Sequence, residues 1–334
     1  MKKAIVTGAY GYIGSVLCKL LKQHGYYVIG IDNDSNSEID WVNDGPRTRS
    51  CDDYIFDSFA SDKAFKVLRQ HKDASVFHLA ANSLLGPSAT YPLSYFENNT
   101  ANTLRLLQHL APSHNLISAS TAAVYDVTHK IVRETSRLDP PNNYGLSKLW
   151  CEQMIDASHE IMRLKAISFR FFNVIGAYDD VGQLPETPHI INQLCDRSMK
   201  NETFIINGND FPTPDGTCIR DYVHVLDICR AMIHADKYLD SVKRPMHDKF
   251  NLGTGVGQSV KDIVDIFKDT CNNVRVEVGA RRVGDPPFLV ADPSKFMKKT
   301  DFVYKHSNDL QTMIKSAWEY RNDAMGRERD LRQV

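Results

Sequence analysis

The sequence predicts an α/β protein: a doubly wound parallel sheet joined to a smaller mixed α/β unit toward the C-terminal end. Three observations carry this expectation. Short apolar runs alternate with helical patterns through the first two-fifths of the 334 residues. Three spaced glycines stand between the first apolar run and the first helical pattern. Past Asn173 the alternation gives way to irregular chain marked by Gly176, Gly182, Pro185 and Pro188. Strands that alternate with helices need right-handed crossovers, which place parallel strands in one sheet with helices on both faces.

The elements follow in order. Lys3 to Thr7 reads as a buried strand, Gly11 to His24 as a helix and Tyr27 to Asp32 as the next strand. Tyr54 to Phe56, Ser75 to Leu79 and Leu116 to Ala119 are further strands, with helical segments between them. A helix starts near Pro92, a residue suited to a first helical turn, and runs to Leu110 with Leu93, Phe96, Leu104 and Leu107 on a shared face. Pro140-Pro141-Asn142-Asn143 is a breaker followed by a capping residue, so the next helix runs from Tyr144 to Leu164. Ile167 to Phe172 is a strand. A helix over Val223 to Tyr238 follows a short strand, and Phe250 to Leu252 is a late strand of the first sheet. The first domain is then discontinuous: 1–173 with about 221–256, against 174–220 with about 257–334 for the second. The charged tail after Tyr320 is expected to fray, and no internal repeat or low-complexity tract is visible.

Composition narrows the classes. At 42% hydrophobic and 24% charged, the chain can bury a sizeable core. A net charge of −1 gives no support to a nucleic-acid partner. Seven cysteines, an odd number without a Cys-x-x-Cys pair, point to a reducing, cytoplasmic setting and away from a zinc cluster or disulfide framework. No apolar stretch is long enough for a membrane span, and the run after Met1 stops at Gly8, too soon for a signal core. No His, Cys or carboxylate spacing suggests a metal.

Gly8-Ala9-Tyr10-Gly11-Tyr12-Ile13-Gly14 carries the first chemistry. Glycines at this spacing let backbone turn tightly against a pyrophosphate, and the helix start offers free N–H groups to it. Asp32, at the end of the second strand, is placed to accept hydrogen bonds from a ribose and to repel a 2′-phosphate. The expected cofactor is NAD, in a Rossmann-type site.

Tyr144-Gly145-Leu146-Ser147-Lys148 carries the second. Residues four apart share a helical face, so Tyr144 and Lys148 meet. A free phenol titrates near about 10. An ammonium and a cationic nicotinamide beside it favour the phenolate, which makes a general base for an alcohol proton. The strand before it ends in the hydroxyls Ser118, Ser120 and Thr121.

Together the Gly-x-x-Gly-x-x-Gly spacing, His78-Leu79-Ala80-Ala81, Glu97-Asn98-Asn99-Thr100 and Tyr144-x-x-x-Lys148 resemble the extended short-chain dehydrogenase/reductases. The resemblance implies cofactor contacts at Gly8, Gly11, Tyr12, Ile13 and Gly14, then at Asp32, Asn33 and Asp57. It adds Leu79, Ala80 and Ala81, Asn98 and Phe171, with Tyr144 and Lys148. It makes Thr121, four residues before the tyrosine of Val124-Tyr125, the catalytic hydroxyl beside Tyr144 and Lys148. This chain has Asp126 where that family usually has glycine after Val-Tyr. It also has Ala122-Ala123 where the family's dehydratases carry Asp-Glu; two alanines cannot transfer protons, so elimination lacks its machinery.

The second half narrows the likeness to the UDP-glucose 4-epimerases within that family. Arg170-Phe171-Phe172-Asn173, Asn207-Gly208-Asn209-Asp210, Arg220-Asp221-Tyr222-Val223-His224, Phe250-Asn251-Leu252-Gly253 and Arg281-Arg282-Val283-Gly284-Asp285 carry it. By analogy Asn173, Arg220 and Arg282 contact a UDP diphosphate and Asp285 the uridine ribose. Ser83, Asn207 and Leu289 join Thr121 and Tyr144 on the substrate side. Leu289 stands where a bulky residue restricts the sugar pocket and a small one admits N-acetyl groups. On the residues alone, Arg220-Asp221 reads rather as a surface ion pair and Arg281-Arg282 as a solvated face. His189 and His224 read as structural histidines. The expected reaction is NAD-dependent 4-epimerisation of UDP-glucose and UDP-galactose through a 4-keto sugar. Other UDP sugars, or a non-catalytic NAD-binding sensor, are the alternatives. The resemblance also implies a homodimer through the helices at 92–110 and 144–162.

Overall fold

The structure, a computed structural model, describes residues 1–35, 50–126, 130–184, 187–282 and 284–331, with side chains as far as residue 323. Pro185 and Val283, singled out above, lie outside the described residues.

Seven strands form one sheet. The chain runs β1 (Lys3–Thr7), α1 (Tyr12–Gln23), β2 (Tyr27–Asp32), β3 (Asp53–Phe56), α2 (Asp62–Gln70) and β4 (Ser75–His78). Then come α3 (Leu85–Thr90), α4 (Pro92–Tyr95), a π-helical turn over Phe96–Ala101, and α5 (Asn102–Leu107). β5 (Asn115–Thr121), a short β6 (Ile131–Val132), α6 (Asn143–Met162) and β7 (Lys165–Phe171) complete the first pass. Next are β8 (Asn173–Ile175), α7 (Ile190–Met199), β9 (Thr203–Asn207), β10 (Ile219–His224), α8 (Val225–Ser241) and β11 (Met246–Leu252). The chain ends with β12 (Gly257–Ser259), α9 (Val260–Thr270), β13 (Arg275–Gly279), β14 (Phe288–Ala291), α10 (Ser294–Thr300) and α11 (Leu310–Leu331).

The large sheet has the order β11-β7-β5-β4-β1-β2-β3, and every pairing in it is parallel. Its central strands are buried on both faces. One face packs Val16, Leu17 and Leu21 of α1 and Ile228, Met232 and Leu239 of α8. The other packs Phe65 and Leu68 of α2, Leu106 and Leu107 of α5, and Ile155 of α6. A parallel sheet requires this double cover, because neither face of it can meet water. A second sheet, β12-β10-β14-β6 with β8 on β10, and a third, β13-β9, lie on the other side, with a core that includes α7, α9 and α11.

Several boundaries moved. The expected shared face over Pro92 to Leu110 does not exist: Leu93 is 78% exposed and Leu104 45%, while Leu107 is buried. The π-helical turn is the reason, since its wider winding rotates the residues after it out of the 3.6-residue period. β11 starts four residues before the expected Phe250, because Met246 to Lys249 pair with β7 although three of the four are polar and all are only half-buried. Val223 and His224 belong to β10 and not to the helix; the His224 side chain caps α8 by accepting from Leu226 N. β7 ends at Phe171, and Asn173 restarts as β8 in the second sheet. The tail expected to fray after Tyr320 continues as α11.

Candidate active site

The cofactor loop is built by steric exclusion. Gly8 has φ 74°, and a Cβ there would stand 2.7 Å from Ala80 N. A Cβ on Gly14 would stand 1.9 Å from the Gly8 carbonyl oxygen. Only glycine lets β1, α1 and the end of β4 approach this closely. Gly11 donates to Gly8 O at 3.1 Å, closing the turn. It is also the N-cap of α1, with no capping side chain, and the first turn carries no acid. The N–H groups at this helix start are therefore directed to a ligand and favour an anion. Such a cradle fits the pyrophosphate of a dinucleotide.

Asp32 closes the loop from the side. Its carboxylate accepts Tyr10 N and Asp34 N, each at 2.9 Å. Asp57 N donates to Asp32 O at 2.9 Å, so Asp32, Asn33 and Asp57 gather where β2 and β3 end. Leu79 N and Ala80 N bond to Thr7 O and Oγ1, placing the Leu79–Ala81 segment beside the loop. Tyr12 opens α1 next to Gly11, and its hydroxyl donates to Gly176 O at 2.5 Å, which ties α1 to the chain after β8 while its backbone faces the loop.

The reacting residues meet through α6. Asn142 Oδ1 accepts Gly145 N at 2.8 Å and starts the helix. Thr121 ends β5, and its Oγ1 accepts Ala123 N at 3.1 Å, capping the turn over Ala122–Val124. Gly145 abuts that turn, where a Cβ would lie 2.2 Å from Ala123 O. The close approach brings the Tyr144 phenol into hydrogen bonding with Thr121. Lys148 follows one turn on and is 4% exposed. Its ammonium makes no hydrogen bond or ion pair among the described residues.

The electrostatics correct one expectation. Tyr144 is half-buried, yet burial of its hydroxyl end pushes the phenol up to about 12, opposed by the Thr121 hydrogen bond. Lys148 is not among the groups that move it. Lys148 itself is lowered by burial. A phenol enclosed in apolar surroundings holds its proton, because the phenolate would lose water that nothing replaces. Ionisation at neutral pH then requires a positive charge brought in with a ligand.

Asn98 is partly buried, and its amide donates to Asn99 Oδ1 at 3.1 Å. It is the neighbouring Asn99 that binds α6 to the chain after β4: its amide donates to Ser147 Oγ and Asn82 O, and its oxygen accepts Asn82 N. Glu152 and Arg170 were also missed as a pair. Glu152 lies four residues beyond Lys148 on the same helical face, and a carboxylate on a buried face is the signal that could have revealed it. Asp126 needs no glycine substitute. It donates its N–H to Arg137 O at 3.0 Å, beside the bridge between Tyr125 and Leu138, and its carboxylate lies 3.7 Å from Arg137 Nε.

On the substrate side, Arg220 pairs in register with Leu289, and its Nη1 donates to Ile219 O and Pro286 O. Its Nη2 stands 3.7 Å from Asp285 Oδ1. The surface-pair reading of Arg220-Asp221 fails: Asp221 is fully buried and accepts Thr254 N and Oγ1, Gly255 N and Ala291 N. Asn173 donates to Asp221 O at 3.3 Å. Leu289 packs against the cluster of Ala122, Val124, Leu149 and Phe172, so β14 lies beside the catalytic turn. Phe171 pairs with Thr121 across β7 and β5. Asn207 ends β9, while Ser83 and Arg282 are exposed. Arg281 is held by Asp210 and lies over the Phe211 ring. His224 caps its helix and is pushed down to about 4 by burial, and His189 is lowered for the same reason; both stay neutral. Among the described residues no group of three or more His, Cys, Asp or Glu could hold a metal ion, and no helix is long and apolar enough to cross a membrane.

Residues 4–253 match the NAD dependent epimerase/dehydratase family. The chain is 36% identical over 330 residues to a UDP-glucose 4-epimerase of Rhizobium leguminosarum bv. trifolii, covering 95% of this chain and 96% of that one. It is 35% identical over 325 residues to a UDP-glucose 4-epimerase of Corynebacterium glutamicum, covering 95% of each. The crystal structure of a UDP-glucose 4-epimerase from Stenotrophomonas maltophila, with bound NAD and formylated UDP-arabinopyranose, superimposes with TM-score 0.90 at 29% identity, over 98% of this chain and 100% of the other.

Proposed function

The chain belongs to the NAD dependent epimerase/dehydratase family, and from that premise we propose that it interconverts the 4-epimers of a UDP-hexose, UDP-glucose and UDP-galactose foremost. One observation carries the reading. Thr121, Tyr144 and Lys148 converge where β5 and α6 meet, and the adjoining turn is Ala122-Ala123. The site can move one alcohol proton and has no acid–base pair there for eliminating water.

NAD held in the glycine cradle would supply a hydride acceptor and donor for sugar carbon 4, and its positive nicotinamide would supply the charge that the enclosed phenol lacks. Tyr144 takes the 4-hydroxyl proton as carbon 4 gives up its hydride, and returns the proton to the 4-keto oxygen when hydride comes back to the opposite face of that carbon. Thr121 holds both the phenol and the sugar oxygen in line. Lys148 stands behind them as a fixed positive charge. Arg220, Arg282 and Asn173 grip the diphosphate and Asp285 the uridine ribose, so the sugar can turn while the nucleotide stays. Asn207, Ser83 and Leu289 border the sugar; shortening Leu289 to alanine is expected to favour N-acetylated substrates.

The coarser organisation belongs to the same reading. The cofactor unit comprises 1–173 with about 221–256, and the substrate unit the rest. Leu93, Leu104 and Trp150 remain exposed on α4, α5 and α6, with Phe96 against Trp150 at 4.8 Å. This apolar face receives the same face of a second copy, forming a homodimer in the cytoplasm. The test of the activity is to incubate purified protein, without added NAD, with separate UDP sugars and to follow the sugar protons by NMR. Interconversion of UDP-glucose and UDP-galactose supports the reading; no reaction even with NAD supplied overturns it.

A further inference from the structure

Glu152 extends the catalytic face of α6. Tyr144, Lys148 and Glu152 recur every fourth residue, so all three face the sheet. Both Glu152 carboxylate oxygens are engaged. Ser120 Oγ donates to Oε1 at 2.6 Å, Arg170 Nε to Oε1 at 3.0 Å and Arg170 Nη2 to Oε2 at 2.6 Å. Each of the two charged side chains is 2–3% exposed. Arg170 Nη1 donates on to the Tyr125 hydroxyl at 2.9 Å, and that hydroxyl donates to Asn251 Oδ1 at 2.6 Å.

The register gives this network its meaning. Ser120, Arg170 and Asn251 are direct partners across β5, β7 and β11, one row of the sheet. Ser120 immediately precedes Thr121. Asn251 Nδ2 donates to Val132 O, in the β6 strand that pairs with β14 of the substrate side. One buried ion pair therefore joins the helix of Tyr144 and Lys148 to the strand of Thr121 and, through Asn251, to the sheet of Leu289. Packing alone does not hold this corner. A small enclosed cavity of about 10 Å³ lies between Lys148, Glu152, Ser118, Ser120, Thr103 and His78.

Resting on the function proposed above, we propose that Glu152 and Arg170 are positioning residues for the epimerisation. Their neutral, fully bonded pair sets α6 against the end of β5, so that Thr121 meets Tyr144, and it balances its own charge behind Lys148. A buried pair of this kind adds little net stability compared with apolar residues of the same volume, so its retention here is accounted for by geometry.

The titratable groups that act on Tyr144 are Tyr95 on α4 and Cys151 on α6; Cys151, Glu152 and His78 on β4 surround Lys148 one turn on, and Arg170 on β7 meets them through Glu152. Only the pair is altered in the test. In E152Q the amide keeps the shape and one acceptor, while Arg170 is left as an uncompensated positive charge. Unbalanced by Glu152, that charge adds to those of Lys148 and a bound nicotinamide, and together they favour the phenolate. The acid limb of the kcat–pH profile is expected to move to lower pH, with kcat reduced on the order of tenfold to a hundredfold and KM within about twofold. S120A removes the link to β5 without changing charge. It should lower kcat severalfold and leave the acid limb in place, and it remains readable if E152Q does not fold. A folded E152Q with lower melting temperature but wild-type kcat and profile would overturn the proposal, as would an S120A of unchanged kcat. An inactive wild type would instead remove the activity on which the proposal rests.

Discussion

Tyr144 and Lys148 stand one helical turn apart, and burial moves both toward their neutral forms. Burial therefore favours a protonated phenol in the protein alone, and in the proposed mechanism the base forms once a cation is placed over it. Tyr144→Phe should fold and bind NAD and UDP normally, with turnover reduced by a factor of about 10² to 10⁴; near-normal turnover would remove Tyr144 from the mechanism. A second residue-scale effect concerns stability. His78 lies under the cofactor loop with Nδ1 at 2.7 Å from Thr7 Oγ1 and Nε2 at 2.9 Å from Thr103 Oγ1. Burial, with Lys148 adding to it, depresses its titration from 6.5 to about 3. A depressed folded value means that the unfolded chain takes up the proton first. The contribution of His78 is present above about 6.5 and is lost progressively as pH falls toward 3. His224, lowered to about 4, acts in the same direction. Melting temperature should fall with acidification below about 6.5, and His78→Asn should flatten that fall. An unchanged slope in the variant would exclude His78 as a source.

At the scale of elements, α6 is placed by a contact that only glycine permits. Gly145→Ala puts a methyl group 2.2 Å from Ala123 O, so either α6 or the Ala122–Val124 turn must retreat. We expect a loss of about 1–3 kcal/mol in stability from this overpacking. A larger loss in kcat than in substrate affinity should accompany it, because Tyr144 and Thr121 separate; kinetics at saturating substrate beside a denaturant melt would measure both. The π-helical turn is the other decision made at this scale. It turns Leu106 and Leu107 inward and leaves Leu93 and Leu104 outside.

At the scale of the molecule, Trp150 of α6 is exposed as those residues are, with the Phe96 ring 4.8 Å from it. Leu93→Glu together with Trp150→Glu should leave the fold intact and dissociate the proposed dimer, since like charges would face each other across a two-fold axis. Sedimentation of the wild type as a monomer at all concentrations would reject the dimer outright. The two sides of the molecule are also fastened to each other. Tyr12 reaches Gly176 O from α1, and Asp227 of α8 accepts the N–H groups of Lys305, His306 and Ser307. These bonds tie α1 and α8 to the chain that follows β8 and to the chain that precedes α11.

The sequence by itself determined the architecture of the cofactor half. Strand and helix alternation, the glycine spacing, Asp32 after the second strand and Tyr144 four before Lys148 are local patterns, each set by backbone period or by the absence of a Cβ. Thr121 was legible only through its distance from Val124-Tyr125. The tertiary structure decided everything that depends on what a side chain meets. It sent the Tyr12 hydroxyl to Gly176, buried Asp221 away from Arg220, and made Asn99 the residue that binds α6. It split the 92–110 helix with a π-helical turn, which the apolar spacing does not announce. It also set Ser120, Arg170 and Asn251 in one row under Glu152, though they are far apart in the chain. Register and burial arise from contacts between distant segments, and a pattern with a period of two or 3.6 residues carries no information about those contacts.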